Sequence, residues 1–187
     1  MLVTISYKPS STPRYSHAVT TVDLRTLRLR PGEVRTETFD VELEPFVLGG
    51  QRYEAVPATV PVELQLSQAS GATVFELRLD VHLSGACMRC LGFAEIERQI
   101  RAREFHDLDA LPADELHSDY VVNDHLQLGA WVRDTVALEL PEQILCREDC
   151  AGLCPVCGKD LNVEPHEHLE RDPDPRWAAL EELKETL

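Results

Sequence analysis

The sequence predicts an α+β fold, in which an antiparallel sheet or partly open barrel packs against one main amphipathic helix and ends in a zinc-knuckle-like C-terminal region. Three observations carry that prediction. Two apolar-polar alternations face each other across a turn, one later stretch repeats its apolar residues at helical spacing, and all six cysteines fall in two places. A chain of 187 residues can bury roughly 70% of its unfolded surface, so metal or disulfides are not needed merely for collapse and the cysteines ask for a separate explanation.

The first residues alternate briefly and pass into SSTPRYS, a turn or mobile arm. Val22, Leu24, Leu27 and Leu29 fit either a strand or a helix, and Pro31-Gly32 stops them. Val41 and Leu43 alternate with Asp40, Glu42 and Glu44 as a half-buried strand. A stronger pattern follows. Val60, Val62, Leu64 and Leu66 share one face, and after QASGA the residues Phe75, Leu77, Leu79, Val81 and Leu83 share another, with Glu76, Arg78, Asp80 and His82 opposite. Together they predict a long antiparallel hairpin with one wet side. SGACMRCLG interrupts it, and a strand resumes through Ile96 and Ile100. Asp107, Asp109, Asp114, Glu115 and Asp119 then mark a solvated acidic loop, without the ligand spacing and glycine of a calcium loop.

From Asn123 to Leu140 the apolar stripe Leu128, Trp131, Val132, Thr135, Val136 and Leu140 predicts the helix, with Asn123 or Asp124 as its cap, Pro141 as its stop and Trp131 as a core anchor. In the closing DPDPRWAALEEL, Asp174 is a candidate cap and Pro175 a first helical residue. Trp177, Leu180 and Leu183 or Leu187 would form a face for the chain's own domain or for another protein. Residues 1–145 are thus expected to form a β-rich body, with 146–187 a cysteine-rich segment and acidic tail packed on it.

Thirty-three acidic side chains against 18 basic leave a net charge of −15. A general basic sheath for nucleic acid is excluded, because that mode works by neutralising many phosphates. The charge is uneven: Lys8, Arg14, Arg25, Arg28, Arg30 and Arg35 crowd the N-terminal side, whereas 164–187 holds eight acids against three bases. An RNA contact confined to the N-terminal side is compatible with this distribution; docking of the acidic body on a basic protein is the more economical reading. There is no apolar run of the roughly 18 residues needed to span a membrane, and the N-terminus lacks a secretory pattern. The cytoplasm is the expected compartment, where paired Cys-x-x-Cys elements hold metal more often than disulfides.

The cysteines are Cys87 and Cys90 in CMRC, then Cys146, Cys150, Cys154 and Cys157 in CREDCAGLCPVCG. Two sulfurs three positions apart converge on one ion if the backbone turns tightly, and a following glycine lets amides approach the thiolates. The favoured ligand set joins Cys87 and Cys90 to Cys154 and Cys157, pinning the hairpin end to the segment beyond the helix. Cys146 and Cys150 are the alternative ligands, in a cramped local set with Cys154 and Cys157, and His166 or His168 could replace a cysteine. Such a closed four-ligand zinc site implies architecture rather than hydrolysis. Thiol-redox chemistry is less well supported, because neither pair opens a helix in a parallel α/β pattern. No phosphate-binding glycine loop is present, so no positive feature predicts an enzyme.

CMRCLGF, VVNDHLQLGAWVRDTVALELPEQILCREDCAGLCPVCGKDLN and the closing DPRW together resemble the bacterial YceD family, large-ribosomal-RNA-subunit accumulation proteins. The resemblance runs over roughly 75–187. It is carried by Cys87, Arg89, Cys90 and Leu91, and by Cys146, Cys150, Gly152, Leu153, Cys154, Pro155, Cys157, Gly158, Leu161 and Asn162. It implies a non-catalytic, cytoplasmic role in large-subunit ribosomal RNA synthesis, processing or accumulation, with a ribosomal or assembly protein as partner. The competing reading is a metal-stabilised interaction module unrelated to RNA.

Overall fold

The computed structural model describes residues 20–27, 29–30, 32–69, 72–107 and 117–168. The N-terminal arm, most of the acidic loop and the closing DPDPRWAALEEL segment lie outside them. The elements are β1 (Val22–Asp23), β2 (Val34–Glu42), β3 (Phe46–Leu48), β4 (Gln51–Ala55), β5 (Thr59–Ala69), β6 (Ala72–Ala86), β7 (Phe93–Asp107), β8 (Val121–Val122), β9 (His125–Leu126) and α1 (Leu128–Leu138). Among the described residues the architecture is antiparallel sheet with one α-helix, consistent with the α+β expectation.

The axis of the main sheet is β6. Along its whole length it pairs with β7, from Ala72 opposite Asp107 to Ala86 opposite Phe93. On its other side its first half pairs with β5 and its last residues with β4. β2 extends the sheet beyond β5, and β3 beyond β4. The predicted hairpin forms in register, with Val62 opposite Leu79, Leu64 opposite Leu77 and Leu66 opposite Phe75. All six are buried, while the intervening Glu63 and Arg78 form an ion pair on the wet face. Period-two alternation therefore places one continuous apolar face under the helix.

Helix α1 touches β2 on one side and β7 on the other. Leu128, Trp131, Val132, Thr135 and Val136 are its buried face, and Trp131 is only 2% exposed, as a core anchor should be. The helix begins later than its sequence pattern suggested. Asn123 and Asp124 do not cap it: both adopt left-handed backbone angles (φ 51° and 62°) in the two-residue turn joining β8 to β9. Asn and Asp serve equally well in caps and in such turns, and here the flanking Val121 and Leu126 pair. Gln127 at the cap position makes no side-chain cap bond; within the first turn Gly129 N–H donates instead to the Thr20 carbonyl at 3.0 Å. The ambiguous run after Val22 resolves into β1, which pairs with β9, and a 3-10 turn at Leu24–Leu27.

The end of β6 is where the sheet meets the cysteines. Gly85 lies opposite Tyr53, and a Cβ there would fall 2.5 Å from the Tyr53 ring and 2.6 Å from the Arg52 carbonyl. Only glycine lets β4 come this close. The buried Tyr53 then donates its hydroxyl to the Ala86 carbonyl at 2.7 Å, fixing the backbone just before Cys87.

Candidate metal centre

Both Cys-x-x-Cys loops are built on the same backbone. In the first, Leu91 N–H donates to the Cys87 carbonyl (3.0 Å) and Cys87 N–H to the Gly92 carbonyl (2.7 Å). In the second, Gly158 N–H donates to the Cys154 carbonyl (2.8 Å) and Cys154 N–H to the Lys159 carbonyl (2.8 Å). The residue after each second cysteine turns left-handed, Gly158 at φ 74° and, less comfortably for a side-chain-bearing residue, Leu91 at φ 60°. This tight reversal aims two sulfurs at one point.

The two loops do not aim at each other. Cys87 and Cys90 converge with Cys146 and Cys150, whereas Cys154 and Cys157 converge with His166 and His168, the ligand atoms of each group lying within 4.8 Å of one another. The favoured sequence grouping, Cys87 and Cys90 with Cys154 and Cys157, is thus divided between two clusters, and the residues held as alternatives complete them. The physical reason is the path of the chain at Gly152. Its Cβ position would sit 3.2 Å from the Arg89 carbonyl oxygen at φ 77°, and that same oxygen accepts the Leu153 N–H at 3.0 Å. Pressed against the first loop in this way, Cys150 faces Cys87 while Cys154 lies beyond the crossing. The Arg89 guanidinium reinforces the seat by donating to the Cys150 carbonyl at 3.1 Å.

In the first cluster the Cys87 and Cys150 sulfurs are 3.8 Å apart and those of Cys90 and Cys146 3.6 Å. Four sulfurs about 2.3 Å from a tetrahedral zinc stand about 3.8 Å from each other, whereas a disulfide would need about 2.0 Å. All six cysteines are free thiols. Burial pushes the Cys87 thiol up, but hydrogen bonds from the Cys90, Cys146 and Arg89 backbones outweigh it and bring it down to about 6. Cys146 is driven the other way, to about 12, by desolvation and by the neighbouring sulfurs. One thiolate forms readily and its neighbours resist a second negative charge, a conflict that a divalent cation would remove.

In the second cluster Cys157 Sγ lies 3.1 Å from His166 Nε2, and His166 Nδ1 lies 2.7 Å from the Glu164 carbonyl oxygen. The Cys154 thiol is lowered to about 6, chiefly by the Cys157 backbone amide, with the Val156 amide, the Cys157 thiol and His166 assisting against desolvation. The Glu164 carbonyl first, and then Cys154, raise the His166 pKa above its ordinary value. Asn162 braces the first cluster from the side of the fold-back. Its Oδ1 accepts from Ala151 N–H (2.8 Å) and the Arg147 guanidinium (2.7 Å), and its Nδ2 donates to Asp160 (2.6 Å) and approaches Cys150 Sγ at 3.5 Å. Sequence reasoning noted Asn162 only as part of a resemblance; its role depends on a fold-back that spacing does not reveal.

The donor sets fit a metal for a further reason. From 145 to 168 the buried residues are Cys150, Gly152 and Cys154, while Val156 and Val163 are 53% and 82% exposed. Within that segment the buried side chains are those of Cys150 and Cys154, and Cys150 joins Cys87 at the edge of the body's core. Among the described residues no helix is long and apolar enough to cross a membrane.

The family model described as large ribosomal RNA subunit accumulation protein YceD matches residues 75–184, from the middle of the hairpin through both cysteine clusters. This chain belongs to the YceD family. It is similar to the uncharacterized protein Rv2926c of Mycobacterium tuberculosis, 32% identical over 168 residues, which is 87% of this chain and 80% of that protein. The uncharacterized protein ML1660 of Mycobacterium leprae is 28% identical over 67% of this chain and 59% of its own length. The uncharacterized protein YlbN of Bacillus subtilis is 33% identical over 58% of this chain and 66% of its own length. No solved structure matches. YceD membership links the chain to large-subunit ribosomal RNA accumulation.

Proposed function

We propose that this YceD-family chain acts in the cytoplasm as a non-catalytic factor in large-subunit ribosomal RNA synthesis, processing or accumulation, working through protein or ribonucleoprotein contacts. The observation that carries the reading is the family match over 75–184. In this reading residues 1–145 form the body, 146–187 the cysteine-rich segment and acidic tail, and Cys87, Cys90, Cys146 and Cys150 hold a structural zinc. The zinc, when bound, supplies a fixed positive centre that neutralises the thiolates. Arg89, Gly152 and Asn162 position the cysteine-bearing strands around it.

The eight acids against three bases over 164–187 favour a basic ribosomal or assembly protein as the direct partner. Deleting the gene in the source cell should lower large-subunit ribosomal RNA relative to small-subunit RNA, and the intact chain should restore it. An unchanged ratio would remove the proposal. In pull-downs, large-subunit precursor proteins should be retained at low salt and released as salt rises; salt-independent retention would argue against the charge-based contact.

A further inference from the structure

The second cysteine cluster is a metal site in its own right. We infer that Cys154, Cys157, His166 and His168 bind a second divalent ion of the zinc class, independently of the cluster around Cys87. The inference is separate from the ribosomal reading and does not need it.

Four observations converge. The Cys154 loop repeats, bond for bond, the reversal of the Cys87 loop, with the amide four residues on closing to the first cysteine's carbonyl and the first cysteine's amide closing to the carbonyl five residues on. Identical loop geometry with its own facing ligands points to a second site rather than to a spare pair. His166 is oriented for coordination: Nδ1–H donating to the Glu164 carbonyl leaves the Nε2 lone pair aimed at the sulfurs, the usual means of fixing a ligating histidine. His168 stands edge-on to it, with ring centroids 5.0 Å apart.

The histidine-bearing loop is also fastened by contacts that need no metal. Leu161 N–H donates to the Gly152 carbonyl, Glu164 N–H to that of Asp160, and Lys159 Nζ holds both oxygens of Glu164 at 3.0 Å. Finally, the donor set is chemically matched. Two thiolates and two neutral imidazoles around a divalent ion form a neutral, four-coordinate unit. Binding takes both cysteines as thiolates, any proton they still hold passing to solvent, and no oxidation is involved. The 3.1 Å separation of Cys157 Sγ and His166 Nε2 would open to about 3.5 Å around a zinc with ordinary bond lengths.

The two sites differ in access. Cys87 and Cys150 are both buried, whereas Cys157 and His168 are exposed and only Cys154 is buried. The second ion is therefore the exchangeable one.

Metal content and native mass spectrometry on the full chain, purified without metal supplementation, test the inference. The intact protein should carry two zinc ions, one lost quickly and one slowly to a chelator. His166→Gln/His168→Gln changes side chains at the surface and should abolish the fast ion alone; Cys87→Ser/Cys90→Ser should abolish the slow one. With cobalt in place of zinc, the cysteine double variant should keep a sulfur-to-metal absorption band and the histidine double variant should retain the spectrum of an all-thiolate site. A single ion in the intact chain, insensitive to the histidine substitutions, would overturn the inference. So would two ions that both survive those substitutions.

Discussion

The sheet body and the segment from 145 to 168 are held together by different forces. In β5, β6 and β7, alternating apolar side chains make a core in which Leu64, Leu66, Phe75, Leu77, Leu83 and Ile100 are completely or almost completely buried. In the cysteine-rich segment no such face exists, and the fold-back is carried by hydrogen bonds from Ala151 N–H to Asn162 Oδ1, from Arg89 to the Cys150 carbonyl and from Lys159 to the Glu164 carboxylate. Net hydrogen bonds contribute only about 0.5–1.5 kcal/mol each, too little to order a loop of this length alone. The contrast teaches where a metal would matter: it would supply order that the cysteine-rich segment's own side chains do not, whereas the sheet body has an apolar core of its own.

Removing metal should break the contrast most sharply. Structural zinc contributes about 10–16 kcal/mol in isolated peptides, so a chelator that strips both clusters should melt 145–168 while β5 to β7 persist. Hydrogen exchange measured by segment would show amides beyond Leu145 losing protection and those of β6 keeping it. Equal protection in both regions without metal would mean that the segment has another source of order.

The converse test acts on the body. Leu77→Ala should cost about 2–5 kcal/mol by leaving a cavity in the core, seen as a lower denaturant midpoint with metal content unchanged. Loss of metal in that variant would show the two regions to be one cooperative unit. Between them sits Asn162. Asn162→Ala removes a support behind Cys150 and should weaken metal retention at the first cluster by about 10-fold or more, measured by competition with a chelator, with little change in the unfolding of the sheet.

The smallest effect is a pH dependence confined to the body. His106 is buried with Nδ1 lacking a partner, and desolvation, then the charge of His117, lower its pKa from 6.5. Above pH 6.5 the ring is neutral in both states and nothing is lost. As pH falls below that value the unfolded chain takes up the proton first, so stability declines until the lower folded pKa is reached. The slope cannot exceed about 1.4 kcal/mol per pH unit. Urea unfolding at pH 7.5 and 5.5 should show this decline in the natural chain, and His106→Phe should remove that share of it.

Much of the body could be read directly from sequence because its signals are local. Strict alternation around Val62 and Leu77 specifies which face is buried, and the stripe through Trp131 specifies a helix, before any partner is known. The β8–β9 turn was hidden because Asn123 and Asp124 are equally good caps, and only the pairing of Val121 with Leu126 distinguishes the two. Leu91 in a left-handed conformation carried no signal at all, since leucine does not announce a turn.

For the cysteines, sequence by itself determined that two short loops could each turn two sulfurs toward one point, because three-residue spacing and tight reversal are properties of neighbouring residues. Only the tertiary structure decided what faces each loop. That choice depends on Gly152 lying against Arg89, on Tyr53 and Gly85 fixing the end of β6, and on Asn162 folding back to Ala151. These contacts join residues far apart in the chain, and ligand identity follows from where the strands cross rather than from the spacing along either one.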